Sequence, residues 1–245
     1  MIVLGLDTAT PSASAALVED GELVAEEIYH KSAKPGQSSA VRAPGNHSEI
    51  VLPLIQSVLD KRKISLAALQ GLAVSIGPGS FTGLRIALAT VKGLAYEWGL
   101  PVVGVSTLKA NAARLMAYEG FICSLLDARK REVYAGIYCR EGQSLIPVCA
   151  EQVCAIETVI EAMRTAGATD AVLVGDGATT YEALFRAALG PSLRIASGHQ
   201  LSSIAAQVAK IPWRRLSDRA GDDLASLEPI YLRPPEAQRR QALRV

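Results

Sequence analysis

The segment Gly77 to Gly83, reading GPGSFTG, limits the chain's fold most sharply, because a glycine, a proline with fixed φ and two further glycines cannot continue a strand or lie inside a helix. It follows the apolar run Leu72 to Ile76 and precedes Leu84 to Trp98, a long stretch with helical spacing of apolar residues. The segment is therefore a strand-to-helix junction. Its free N–H groups and the positive end of the helix suit an anion, with Gly77, Gly79, Ser80, Thr82 and Gly83 as contacts. A P-loop is excluded, since Leu84 and Arg85 stand where a lysine and a hydroxyl must follow the last glycine. A structurally required turn or a partner contact is the better explanation of the same residues.

The flanking pattern sets the class. Ile2 to Leu6, Ser14 to Val18 and Leu23 to Ile28 read as three short strands, the last two joined by an Asp-Gly hairpin turn. A polar segment over 31–45 leads to a helix capped by Asn46 with Glu49 reaching back, and Pro53 should kink it. Its apolar residues Ile50, Val51, Leu54, Ile55, Val58 and Leu59 form a face broad enough to need cover on more than one side. A short helix from Ser65, strand 72–76, helix 84–98, strand 101–105 and helix 107–118 then alternate as βαβ units. Beyond Gly120 the order begins again. Strands 121–126 and 132–139 flank a charged turn, helix 154–166 and strand 171–174 follow, and helices 180–189 and 202–210 close the series. The expectation is an α/β protein of two related lobes, 1–119 and 120–245, each a mixed sheet flanked by helices.

Charge and cysteine usage exclude several functions. The 245 residues carry 25 Lys plus Arg against 24 Asp plus Glu, a net charge of +1, which argues against sequence-blind nucleic-acid binding through a basic face. Arg233, Arg239, Arg240 and Arg244 make the end of the chain locally basic, as a solvated tail would be. Cys123, Cys139, Cys149 and Cys154 show no CxxC or Cys/His ligand spacing, so they read as thiols of a reducing compartment. His30, His47 and His199 have no partner at a metal-ligand spacing, which makes a metal centre within the chain improbable. The opening MIVLGLDTAT reads as a first strand rather than a targeting segment, since Asp7 interrupts it, and no run is long enough to cross a membrane.

Asp7, beside Thr8 and Thr10 at the end of the first strand, can hold a metal-bound phosphate or a water if it faces a cleft. It can equally satisfy the N–H groups of its own turn. Arg85 and Lys92 lie two turns apart on the helix after the glycines, where they suit an anionic ligand or an interface. Asp127, Arg129 and Glu132 need no explanation beyond an ordinary hairpin turn. Ser75 lacks the glycines of a nucleophile elbow.

The blocks LGLDTAT, NHSEIVLPLIQSVL, GLAVSIGPGSFTGLRIALATVKGLA, GVSTLKA, DARKREVYAG and PIYLRPP, in that order, resemble the TsaB (YeaZ) family over essentially the whole chain. The resemblance implies an actin-like fold of the sugar-kinase and Hsp70 type, and a non-catalytic relative of TsaD. TsaD carries the metal and transfers the threonylcarbamoyl group to N6 of adenosine 37 in tRNAs reading ANN codons. It further implies pairing with TsaD, assembly with the ATPase TsaE, homodimers that use an overlapping surface, tRNA met only through the complex, and a cytoplasmic location.

By the same resemblance, His47, Glu49, Ile50, Leu54 and Val58 lie on one interface helix, and Arg85, Ala89, Lys92 and Gly93 on a second. Asp7, Thr8 and the glycine turn fall in the remnant of a nucleotide cleft. The metal-binding histidine pair of TsaD is missing after His47. No cofactor is implied for the chain itself, which leaves room for an adenine nucleotide at or near the complex interface. An independent ATPase, kinase or peptidase of the same fold, or a general adaptor, would use the same residues differently.

Overall fold

Strand β1 (Ile2–Asp7) pairs antiparallel with β2 (Ser12–Glu19), which pairs antiparallel with β3 (Glu22–His30). The β2–β3 turn places Asp20 and Gly21 at positive φ, as the Asp-Gly pair requires. The structure, a computed structural model, describes residues 1–30, 47–191, 193–196 and 201–233, without the side chain of His47. The polar segment 31–45, the Asn46 cap, His199 and the tail arginines Arg239, Arg240 and Arg244 lie outside the described residues.

Helix α1 (His47–Arg62), a 3-10 turn at Leu66–Ala68, β4 (Gly71–Gly77), α2 (Phe81–Trp98), β5 (Val102–Ser106) and α3 (Thr107–Ala113) follow. Both β4 and β5 run parallel with β1, giving the order β3-β2-β1-β4-β5. Leu4 and Leu6 of β1 and Leu72 and Val74 of β4 bury one face of this sheet under α1 and α2, against Leu54, Val58, Ala87 and Val91. Alternation along a strand demands that the opposite face be covered too.

The second sheet repeats the plan. Strand β6 (Phe121–Asp127) pairs antiparallel with β7 (Glu132–Glu141), which pairs with β8 (Ser144–Pro147) and, nearer its start, with β9 (Gln152–Ala155). Helix α4 (Ile156–Thr165), β10 (Val172–Val174), α5 (Asp176–Thr180), α6 (Glu182–Leu189) and β11 (Arg194–Ile195) complete it. The order β8-β7-β6-β10-β11 reproduces that of the first sheet. Strands β8, β9 and β11 carry too few alternating residues to be read from sequence, and Cys154 sits in β9 rather than in a helix.

The chain then returns to the first sheet. Helix α7 (Ile204–Lys210) and α8 (Trp213–Ser217) cover its second face, where Val3, Ala73 and Val103 meet Val208, Ala209 and Leu216. Gly5 permits this approach, because a Cβ there would fall 2.2 Å from the Ala205 carbonyl oxygen. The compact units are accordingly Met1–Met116 with His199–Pro229, and Ala117–Gly198 with Ile230–Val245. A single division near residue 120 is thus replaced by a discontinuous one, since apolar burial on the first sheet recruits helices from late in the chain. Among the described residues no helix is long and apolar enough to cross a membrane.

Candidate functional site

Asp7 ends β1 at the centre of the first sheet, and it is 1% exposed. One carboxylate oxygen, Oδ1, accepts from the Ala9 N–H at 3.2 Å and from the Ser75 hydroxyl on β4. Burial pushes its carboxyl up to about 6, against the lowering effect of those two hydrogen bonds and of the Arg114 guanidinium. Thr8, fully buried, donates its hydroxyl to the Gly83 carbonyl at 2.7 Å. The glycine turn is fastened to the same place, since the Ser80 N–H donates to the Ala9 carbonyl at 2.7 Å. Gly79 fits against Ala9 only for want of a side chain, as a Cβ would lie 2.3 Å from that carbonyl oxygen.

The structure brings Asp7, Thr8 and Gly77 to Gly83 together, but their polar groups bond to one another and to Ala9 and Ser75. Helix α2 starts at Phe81, earlier than expected, so Phe81, Thr82 and Gly83 of the glycine segment belong to its first turn. Ser80 caps it by accepting from the Gly83 N–H at 3.2 Å. Gly77, Pro78 and Gly83 are buried, and only Ser80, Phe81 and Thr82 of this segment are exposed. Among the described residues no group of three or more His, Cys, Asp or Glu is arranged to hold a metal ion.

Arg114 was not singled out by the sequence. It caps the end of α3, donates through Nε to the Ser202 carbonyl at 2.8 Å and through a terminal nitrogen to Asn111 Oδ1 at 2.9 Å. Burial lowers its pKa, while Asp7 and Glu26 favour the charged form. A buried arginine supplies the counter-charge for a buried carboxylate. A sequence separation of more than a hundred residues hid this electrostatic influence of Arg114 on Asp7.

The interface residues divide. Ile50, Leu54 and Val58 are fully buried in the chain's own core against β2 and β3, which corrects their placement on a partner surface. A helix lying on a sheet must turn its apolar stripe inward, and the stripe at 50, 51, 54, 55, 58 and 59 is that face. Glu49 is exposed, and so are Arg85, Ala89 and Gly93, while Lys92 is half-buried. Arg85 lies over the Phe81 ring at 3.9 Å. A Cβ on Gly93 would meet nothing within 4 Å, so the α2 backbone is bare there. Leu52 at 61% and Tyr96 at 88% exposure are two large apolar side chains that sequence reasoning missed on these helices. Their signal was an apolar residue on the otherwise polar side of each helical wheel.

In the second sheet β6 ends in Asp127 as β1 ends in Asp7. The Asp127 carboxylate accepts from the Tyr181 hydroxyl at 2.9 Å and from the Arg129 N–H at 2.8 Å. Its own N–H donates to Asp176 Oδ1 at 3.1 Å. Burial raises the Asp176 pKa, and the nearby Asp127 charge adds to the rise although hydrogen bonds to backbone N–H groups oppose it. The turn that follows is no ordinary hairpin: Arg129, Lys130 and Arg131 have φ of 66°, 56° and 59°. Each left-handed residue with a side chain costs about 1 kcal/mol.

Two sheets of the same strand order, each with an aspartate closing its first strand, define an actin-like fold. Component A of (R)-2-hydroxyglutaryl-CoA dehydratase from Acidaminococcus fermentans shares that fold with a TM-score of 0.51 at 11% identity, covering 89% of this chain and 99% of its own. The family model described as TsaD, tRNA N6-adenosine threonylcarbamoyltransferase, matches residues 37–237. The tRNA threonylcarbamoyladenosine biosynthesis protein TsaB of Escherichia coli is 31% identical over 95% of each chain. YeaZ from Pseudomonas aeruginosa superposes with a TM-score of 0.74 at 26% identity, covering 94% of this chain and 99% of that one. The chain belongs to the TsaB/YeaZ family, a branch of the wider TsaD-related family.

Proposed function

We propose that this chain takes part in threonylcarbamoyladenosine biosynthesis as a non-catalytic subunit, paired with a TsaD-type transferase and assembled with TsaE. The observation that carries the reading is the state of Asp7. In a working phosphate or metal site this carboxylate would stand open to the cleft, whereas here it is buried and bonded to Ser75 and Ala9. The second support is the outward side of α1 and α2, where Glu49, Leu52, Arg85, Ala89, Gly93 and Tyr96 combine apolar area with a bare stretch of helix backbone. Small residues let another helix approach closely, and exposed aromatic and leucine side chains gain by being covered. The same surface serves self-association, so homodimer and heterodimer compete for it. An adenine nucleotide, where the assembly holds one, would meet this chain at Ser80 and Thr82.

The test is reconstitution. Unmodified tRNA is incubated with a TsaD-type transferase, TsaE and threonylcarbamoyl-adenylate synthase, with and without this chain, and the modified adenosine is measured by nucleoside mass spectrometry. Modification should need this chain together with the others. Full modification without it, or modification by it alone, would overturn the proposal.

A further inference from the structure

We propose that the turn Arg129-Lys130-Arg131 is a contact for the RNA phosphate backbone, made by this chain itself. The inference rests on the reading that the chain serves a tRNA-modifying assembly. Three hairpin turns of the chain differ in where their left-handed backbone falls. Where β2 meets β3 and where β7 meets β8, left-handed backbone falls on or beside glycine, at Gly21 and Gly142. Between β6 and β7 the chain places three consecutive cations in that conformation instead. Backbone strain held by its surroundings collects at functional positions.

The surroundings do hold it. The Tyr181 hydroxyl and the Asp127 carboxylate fasten the start of the turn through the Arg129 N–H. At its base, Arg233 donates to the Ala128 carbonyl at 2.7 Å and is paired with Glu132. Both carboxylates that flank the tip thus have other engagements, although Asp127 also lies 3.8 Å from Arg129 Nε. The cations stand in solvent: Arg129 is 83% exposed, and Arg131 and its partner Glu157 are 66% exposed each. An ion pair so exposed is readily exchanged for another anion. Guanidinium groups match phosphate oxygens in planar forks, and three cations fixed on one tip fit a run of closely spaced negative charges better than a single carboxylate. The overall charge of +1 leaves RNA attraction to a local patch of this kind.

The experiment uses the full-length chain and a fluorescein-labelled unmodified tRNA, with anisotropy followed across a series of KCl concentrations. In the variant Arg129→Gln/Lys130→Gln/Arg131→Gln the dissociation constant should rise roughly tenfold, and the slope of log K against log salt should fall by about 2 to 3. A variant with Arg129→Lys and Arg131→Lys keeps the charge but loses the planar forks, so its salt slope should match the parent's while its dissociation constant lies between those of the parent and the glutamine variant. Thermal melting checks that each variant folds. Equal affinity and slope in the glutamine variant, or no tRNA binding by the parent chain, overturns the proposal. Loss of capture of a TsaD-type partner with tRNA affinity unchanged also overturns it, and assigns the turn to an acidic protein surface. Modification supported by the parent chain is measured separately, so failure of the parent reading is distinguished from failure of this one.

Discussion

Replacing Gly79 by alanine tests whether the glycine turn is a structural junction. The new Cβ would stand 2.3 Å from the Ala9 carbonyl oxygen, 1.1 Å short of the 3.4 Å at which ordinary contact begins. Its neighbours offer little relief, since Ala9 Cβ and carbonyl carbon lie at 2.8 and 2.9 Å. Backing away would break the 2.7 Å bond from the Ser80 N–H to the same carbonyl. Overpacking contributes about 1–3 kcal/mol and the lost hydrogen bond about 0.5–1.5 kcal/mol, so a destabilisation of about 2–4 kcal/mol is expected.

Urea unfolding read by tryptophan fluorescence reports the relevant unit, because Trp98 and Trp213 both lie in Met1–Met116 with His199–Pro229. The midpoint should fall by about 1 M or more. Gly93→Ala is the control: its Cβ meets nothing within 4 Å, and a helix interior gains about 0.5–1 kcal/mol from alanine. A Gly79→Ala midpoint within about 0.3 M of the parent would refute the close-approach reasoning.

Stability should also depend on Asp7 in a predictable direction. Its folded pKa of about 6 exceeds the ordinary 3.8, so the folded state binds the proton more tightly. Its contribution is then most favourable below 3.8 and is lost as pH rises through about 6, a span of about 3 kcal/mol at about 1.4 kcal/mol per pH unit. Asp7→Asn should flatten urea midpoints over that range, and a variant profile parallel to the parent's would contradict this. Ala89→Glu, on an exposed site, should leave the melting temperature unchanged while weakening self-association in light scattering and capture of a TsaD-type partner. Unaltered association would remove Ala89 from the interface. Tyr181→Phe takes one hydrogen bond from Asp127, and a loss of about 1 kcal/mol is expected in urea unfolding followed by circular dichroism; no loss would mean the hydroxyl does not fasten the turn.

The amino-acid order by itself determined the repeated run of strands and helices, the hairpin at Asp20-Gly21 and the strand-to-helix junction at Gly77 to Gly83. These depend on local chemistry: periodicity, fixed or permissive φ, and capping groups within a few residues. Sequence also placed Asp7, Thr8 and the glycines in one neighbourhood through the family resemblance. Which way Ile50, Leu54 and Val58 face was not legible, because an apolar stripe records that it needs cover and not whether the cover comes from its own sheet or from another chain. Nor was the state of Asp7, whose bond to Ser75 spans 68 residues and whose counter-charge comes from Arg114. The recruitment of α7 onto Gly5 and the three left-handed cations after Asp127 belong to the same class. Each follows from non-local packing, in which a residue's role is set by the atoms that long-range chain return brings beside it.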